Sequence, residues 1–186
     1  MDADSACDQP IREAVERLEA RGVNVILGAC GSFGHWQNRI TQYANVPVYV
    51  SIMTQVPFVI SGLPAEQKLG VVFANPDAFT QRLKDECGIS EADCDRIVIV
   101  GANEIPAFDL LYEQGTEADA RALEQDIVAL LVKSREQNPE IGAWLFQCSE
   151  LPVYAGAVQE ATGLAVFDMT VLIDHLHRVA TRTRYA

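Results

Sequence analysis

Basic residues are scarce in this 186-residue chain, which has 14 Lys and Arg against 26 Asp and Glu and a net charge of −12. This deficit argues against binding to nucleic acid or to an anionic membrane, because both are negatively charged. Apolar runs are also short, and none reaches the roughly 18 residues that a membrane span requires. We therefore expect a small-molecule partner, with no role for nucleic acid or membrane.

Several other signals are missing. Met1–Pro10 is polar and acidic, unlike a secretion signal. The five cysteines include no CxxC pair, which argues against a thiol redox protein, and we expect reduced thiols in a cytoplasmic protein. No phosphate-binding glycine loop of the usual forms occurs. Asp174, His175 and His177 offer too few ligands on one helix face, so the sequence predicts no metal site.

Apolar strands alternate with helical segments along most of the chain, which indicates an α/β protein with parallel sheets covered on both faces. Ligands bind at the carboxyl ends of the strands in such sheets. The stretch Ile52–Ile60 is ambiguous because Pro57 interrupts it. The predicted helices are Pro10–Arg21, Phe33–Ala44, Asp77–Glu86, Thr116–Arg135, Pro152–Ala161 and Thr170–Thr181. The predicted strands are Val23–Leu27, Val46–Val50, Leu69–Ala74, Ile97–Val100, Ile141–Phe146 and Ala165–Phe167.

An internal repeat relates the two halves of the chain. A shift of 118 residues, the separation of Cys30 and Cys148, places Val23–Cys30 on Ile141–Cys148. The same shift places Val46–Val50 on Leu164–Asp168. Each half thus has the order strand, thiol, helix, strand, which predicts two similar lobes that each present one cysteine.

The two matched cysteines suit acid–base chemistry. Each lies where a strand ends and a helix is expected to begin, and a helix N-terminus favours the thiolate. Two facing thiols can remove a proton from one face of a carbon acid and return one to the other face. The alternative is that both are buried structural cysteines. Cys7, Cys87 and Cys94 lack such a setting, and we interpret them as structural.

Two segments carry a family resemblance. Gly28–Phe33, with the sequence GACGSF, and Phe146–Ala155, with the sequence FQCSELPVYA, resemble the two cysteine motifs of the aspartate/glutamate/hydantoin racemase superfamily. Val46–Ser51 and Ala161–Asp168 resemble the strands that follow those motifs, so the similarity runs from about Ile11 to the C-terminus. The resemblance implies a cofactor-independent isomerase that uses Cys30 and Cys148 as its acid/base pair.

The resemblance also implies an architecture. We expect two pseudo-symmetric, flavodoxin-like lobes with the active site between them, the first formed by residues 1–61 and 163–186 and the second by residues 62–162. Family members usually begin with a further strand and a polar loop, and this chain starts with the helix that would follow that strand. We therefore expect a first lobe that lacks its first strand, and a homodimer or a partner chain that completes it.

The expected function is racemisation or epimerisation of a small carboxylated carbon acid, of the amino acid or hydantoin type. The superfamily also contains decarboxylases and a cis–trans isomerase, and a non-catalytic binding protein that keeps the fold is a further alternative. Helix starts and polar side chains at strand ends would hold the substrate carboxylate, although turn and capping roles are equally compatible with them. The predicted substrate-binding residues are Gly31, Ser32, Ser51, Asn75, Ser149 and Glu150.

Overall fold

The structure is a computed structural model that describes residues 3–109 and 119–182. The α-helices with both ends in these ranges are α1 (Ala3–Glu19), α2 (Gln37–Thr41), α3 (Val56–Gly62), α4 (Gln81–Glu86), α5 (Glu91–Cys94), α6 (Ala120–Gln137), α7 (Ala155–Thr162) and α8 (Met169–Ala180). The strands are β1 (Ile26–Leu27), β2 (Val48–Tyr49), β3 (Lys68–Phe73), β4 (Ile97–Gly101), β5 (Ile141–Phe146) and β6 (Ala165–Phe167). Short 3₁₀ helices cover Gly31–Trp36, Ile52–Gln55, Pro76–Ala78, Ala102–Glu104 and Pro152–Tyr154.

Two predicted helices are each divided into a 3₁₀ helix and a short α-helix. The segment predicted as Asp77–Glu86 is a 3₁₀ turn followed by α4, because the Thr80 hydroxyl accepts a hydrogen bond from Leu83 N and starts a new helix there. The segment predicted as Phe33–Ala44 is a 3₁₀ helix followed by α2. The first helix starts earlier than predicted, so Pro10 lies inside it, and the first residues of the predicted helix Thr116–Arg135 fall outside the described residues.

All strand pairings are parallel, which confirms the predicted fold class. In the described residues β1 pairs with β2 in a two-stranded sheet, and a four-stranded sheet has the order β4-β3-β5-β6. The 118-residue repeat is also present in the pairing registers of the strands. Ile26 pairs with Val48 in the small sheet, and Trp144 pairs with Val166 in the large one. Adding 118 to both residues of the first pair gives the second, so the two strand pairs have equivalent registers.

The large sheet is covered on both faces. Alternate residues of β3 point to opposite sides, with Val71 and Phe73 in one core cluster and Val72 in another. The first cluster also contains residues of α3 and α8, and Leu27 and Tyr49 of the small sheet pack against it. A third cluster, around Ile26 and Val48, lies under α1 and α2. Apolar packing therefore joins the two sheets and fixes how their strand ends face each other.

A side chain takes part in the backbone pairing of the small sheet. The buried Gln37 amide donates from Nε2 to the Val48 carbonyl at 2.8 Å, and its Oε1 accepts from Val50 N at 2.9 Å. The carbonyls of Pro47 and Tyr49 instead accept hydrogen bonds from the β1 side. Because successive residues of a strand point their peptide groups to opposite edges, Gln37 lies along the edge of β2 that faces away from β1.

The predicted division at residues 61/62 and 162/163 stays a prediction. β6 hydrogen-bonds to β5 in the large sheet, although it belongs to the C-terminal segment that we assigned to the first lobe. The following helix, α8, packs into the cluster shared by both sheets. Within residues 3–109 and 119–182, no helix is long and apolar enough to cross a membrane.

Candidate active site

The two predicted catalytic cysteines follow equivalent strands. Cys30 lies three residues after β1, and Cys148 lies two residues after β5. These strands are the ones that the 118-residue repeat superimposes, and their carboxyl ends lead into the loops that carry the thiols. The topology of the fold, rather than any local motif, thus brings the two cysteines toward one site.

The loops of the two cysteines are in direct contact. A Cβ atom added at Gly31 would overlap both the carbonyl oxygen and the side-chain amide of Gln147. The residue after Cys30 is therefore packed against the residue before Cys148. The pKa of Cys148 is raised mainly by burial, and a negative charge on Cys30 adds to that rise, as expected for two thiols on adjoining loops. Both thiols are free, as are the other three cysteines.

A buried serine stabilises the loop that carries Cys30. Ser51 is fully buried, and its hydroxyl donates to the Gly31 carbonyl at 2.7 Å while it accepts from Met53 N at 3.1 Å. The Cys30 carbonyl accepts from Phe33 N at 3.0 Å and so starts the 3₁₀ helix Gly31–Trp36. Ser51 was predicted to bind substrate, but in this structure its hydroxyl is engaged with the backbone and positions the Cys30 loop.

The two thiols have unlike surroundings. Cys30 is exposed, whereas Cys148 is buried with 7% of its surface accessible. Burial raises the pKa of the Cys148 thiol to about 11; a hydrogen bond from the Glu150 backbone opposes this rise, and the charges of Glu150 and Cys30 add to it. Cys148 therefore carries its proton at neutral pH.

The other predicted substrate-binding residues differ in their exposure and in their hydrogen bonds. Ser149 and Glu150 are exposed beside Cys148. Ser32 is half-buried, and its carbonyl is engaged by His35 Nδ1 at 2.9 Å. Asn75 caps the turn Pro76–Ala78 by accepting from Asp77 N at 2.9 Å, so its side-chain oxygen has the capping role that we weighed as the alternative. Their contact with a substrate stays a prediction.

The sequence did not single out three neighbours of the site. Gln147 is buried against Gly31, and its position next to Cys148 was the only signal for it. His35 is half-buried and bridges the Ser32 carbonyl to the Thr80 hydroxyl, which is 2.9 Å from Nε2. Phe33 remains 45% exposed one turn after Cys30. No group of three or more His, Cys, Asp or Glu side chains in the described ranges is placed to hold a metal ion.

Thiol reactivity should reveal the difference between the two cysteines. At pH 7.5 a thiol with a pKa of about 11 is only about 0.03% thiolate, so we expect iodoacetamide to label Cys30 well before Cys148. Only the thiolate reacts, and the raised pKa keeps Cys148 almost fully protonated at pH 7.5. The labelling rate of Cys148 should therefore rise about 100-fold between pH 7.5 and pH 9.5, as the thiolate fraction increases. Peptide mass spectrometry follows both sites at once. Equal labelling of the two thiols at pH 7.5 would contradict the assignment.

Comparison with solved structures settles the fold. An aspartate racemase homologue from Pyrococcus horikoshii OT3 is 20% identical, with a TM-score of 0.66 over 95% of this chain and 76% of the other. A glutamate racemase from Bacillus anthracis is 14% identical, with a TM-score of 0.61 over 96% of this chain and 68% of the other. The chain has the aspartate/glutamate racemase fold. The resemblance predicted from the two cysteine motifs is confirmed at this level.

The racemase fold also occurs in an enzyme of another class. A mutant of arylmalonate decarboxylase matches with a TM-score of 0.62 and 16% identity, over 99% of this chain and 79% of the other. At these identities the structures establish the fold and leave the reaction open. No protein-family model matches the chain.

Curated relatives in sequence point to a different reaction. Dimethylsulfoniopropionate lyase 3 from Emiliania huxleyi is 32% identical over 163 residues, which are 84% of this chain and 42% of the relative. Dimethylsulfoniopropionate lyase from Durusdinium sp. clade D is 29% identical over 175 residues, which are 91% of this chain and 57% of the relative. The chain thus spans about half the length of these relatives. Because they are named lyases, the expectation of a racemase, and of an isomerase in general, is wrong.

Proposed function

We propose that this chain carries the catalytic site of a dimethylsulfoniopropionate lyase. The observation that carries the proposal is the similarity to curated lyases of that name, at 28 to 32% identity over 84 to 92% of the chain for four relatives from Emiliania huxleyi and one from Durusdinium sp. clade D. The racemase fold is compatible with this activity. Racemisation of an amino acid and elimination from dimethylsulfoniopropionate both begin with removal of a proton from the carbon next to a carboxylate.

The proposed reaction is an elimination that needs one base. A thiolate takes a proton from the carbon beside the carboxylate, and the electron pair of that C–H bond forms a carbon–carbon double bond. The bond between the next carbon and the sulfonium sulfur breaks, and its electrons leave with the sulfur. The products are dimethyl sulfide, acrylate and the proton on the base. Since dimethyl sulfide leaves as a neutral molecule, no acid is needed to protonate the leaving group.

The unequal thiols support this one-base scheme. We assign the base to the exposed Cys30 and a hydrogen-bond donor role to Cys148, because a thiol with a pKa of about 11 keeps its proton at neutral pH. The carbanion next to a carboxylate places negative charge on the carboxylate oxygens, and a fixed donor beside them stabilises the transition state. Unlike surroundings would hinder a reversible two-base racemase, but they suit an elimination.

The charge of the protein does not oppose this substrate. Dimethylsulfoniopropionate is a zwitterion, with a sulfonium cation at one end and a carboxylate at the other. A net charge of −12 would repel a dianion, whereas a zwitterion feels opposite forces at its two ends. The exposed Glu150 beside Cys148 adds a negative charge at the site itself, and that charge favours a substrate with a cationic group.

Product analysis tests the proposal. We expect the purified chain to convert dimethylsulfoniopropionate into dimethyl sulfide and acrylate in equal amounts, with no added cofactor. Gas chromatography measures the sulfide, and proton NMR measures acrylate. The neutral thioether 3-(methylthio)propionate is the matched control, because its leaving group would be a thiolate that needs protonation, and it should not react. Absence of acrylate, or sulfide release without acrylate, would refute the proposal.

A further inference from the structure

An exposed aromatic ring lies next to the proposed base. Phe33 follows Cys30 by three residues, and its backbone N–H donates to the Cys30 carbonyl at 3.0 Å. Cys30 is the N-cap of the 3₁₀ helix Gly31–Trp36, and Phe33 is the third residue of that helix, one turn later. Phe33 is 45% exposed, so part of its ring is accessible to a ligand. Its ring is thus an accessible aromatic group one helical turn from the exposed Cys30.

The neighbouring aromatic ring is already in contact with a cation. Trp36 stands edge-on to Phe33, with ring centroids 6.3 Å apart and an angle of 73°. The Arg82 guanidinium lies 5.7 Å from the Trp36 ring centroid, and its Nε donates to the His35 carbonyl at 3.1 Å. Trp36 thus packs against Phe33 from the side, and the part of the Phe33 ring that stays exposed can contact a ligand.

A sulfonium group is a ligand that such a ring can recognise. Its charge is spread over methyl groups that donate no conventional hydrogen bonds, so an aromatic face is one of the few groups that attract it in water. Quaternary ammonium ligands, which share these properties, are bound by aromatic rings through the cation–π interaction. The leaving sulfur is two bonds from the carbon that loses its proton, so a residue one turn from the base is within reach of the sulfonium.

We propose that Phe33 is a specificity-determining residue, whose ring binds the sulfonium group of the substrate and selects it over neutral analogues. The inference rests on the proposed function and on the assignment of the base to Cys30. Glu150, on the Cys148 side of the site, adds a carboxylate to the surroundings of the cation. The Phe33 ring on one side and the Glu150 carboxylate on the other would hold the sulfonium group. The carboxylate of the substrate would then face the protonated thiol of Cys148.

Binding measurements with a neutral isostere test this role without turnover. 4-Methylpentanoate has the shape of dimethylsulfoniopropionate, with a neutral CH in place of the sulfonium sulfur. Calorimetry on Cys30→Ala would give the Kd of each ligand, and the ratio of the two Kd values measures selectivity for the cation. We expect selectivity to fall about 3- to 30-fold when Phe33→Leu is added, since leucine keeps the apolar contact and loses the π face. Phe33→Trp should retain or increase selectivity.

Phe58→Leu is the matched control, because Phe58 is another exposed phenylalanine, 70% accessible, and lies on α3 rather than on a loop that carries a cysteine. Its selectivity should equal that of Cys30→Ala alone. Unchanged selectivity in Phe33→Leu, an equal loss in Phe58→Leu, or no preference for the cation in Cys30→Ala would overturn the inference. Failure of the lyase proposal has a separate readout, because it is the absence of dimethyl sulfide and acrylate from the unaltered chain.

Discussion

Replacing Cys30 with alanine should reduce the rate of dimethyl sulfide release by about 10²- to 10⁴-fold, the range that a positioned general base contributes. Cys30→Ser should be nearly as severe, because a serine hydroxyl is a far weaker acid than a thiol and gives almost no alkoxide at neutral pH. The exposed position of Cys30 means that neither change should disturb the fold. Gas chromatography gives the rate, and thermal denaturation confirms the folded state.

The two thiols should differ in how they tolerate serine. If Cys148 acts as a hydrogen-bond donor, Cys148→Ser keeps a donor and should retain more activity than Cys148→Ala, whereas serine and alanine should be about equally poor at Cys30. Cys7→Ser is the matched control, since Cys7 is another exposed cysteine but lies on α1. The opposite pattern, with serine tolerated at Cys30 and both changes equally severe at Cys148, would assign the base to Cys148 instead.

Adding one methyl group at Gly31 should have a comparably large effect. In Gly31→Ala the new Cβ overlaps the Gln147 carbonyl and amide, so the Cys30 and Cys148 loops must move apart. A displacement of about 1 Å between catalytic groups can cost on the order of 100-fold in rate. The overlap with backbone should also lower the free energy of unfolding by about 1–3 kcal/mol. Steady-state kinetics and urea denaturation measure the two effects.

Gly156→Ala provides the comparison for Gly31→Ala. Gly156 lies inside α7, and a Cβ atom there would meet no atom within 4 Å. An alanine in a helix is favoured over glycine by roughly 0.5–1 kcal/mol, so this variant should be slightly more stable and fully active. A Gly31→Ala protein with the activity of Gly156→Ala would show that the contact between the cysteine loops is unimportant for catalysis.

The sequence predicted the parts of the site that depend on topology. The 118-residue repeat placed Cys30 and Cys148 at equivalent strand ends, and the pairs Ile26–Val48 and Trp144–Val166 confirm the strand equivalence. Apolar runs and thiols at fixed spacing are properties of the chain itself. The functions of Ser51 and Gln147 were missed, because they depend on contacts between segments far apart in sequence.

The error in the reaction has a chemical origin. Racemisation and elimination share their first step, the removal of a proton from a carbon beside a carboxylate. What happens next depends on whether the adjacent carbon carries a leaving group, which is a property of the substrate and not of the cysteine motifs. Our proposal of a single base rests on the different burial of Cys30 and Cys148, and the motifs around both cysteines gave no sign of that difference.

The Gln37 amide has a consequence for the behaviour of the chain in solution. A strand edge with open N–H and C=O groups is a template on which another molecule can add a strand, and this is a common route to aggregation. Gln37 occupies these groups on the outer edge of β2, at Val48 and Val50, with a donor and an acceptor from one side chain. Glutamate would supply only the acceptor and leave the Val48 carbonyl open. The neutral Gln37 amide thus protects the outer edge of β2 from self-association. In other proteins a lysine or a proline at the sheet edge has this role.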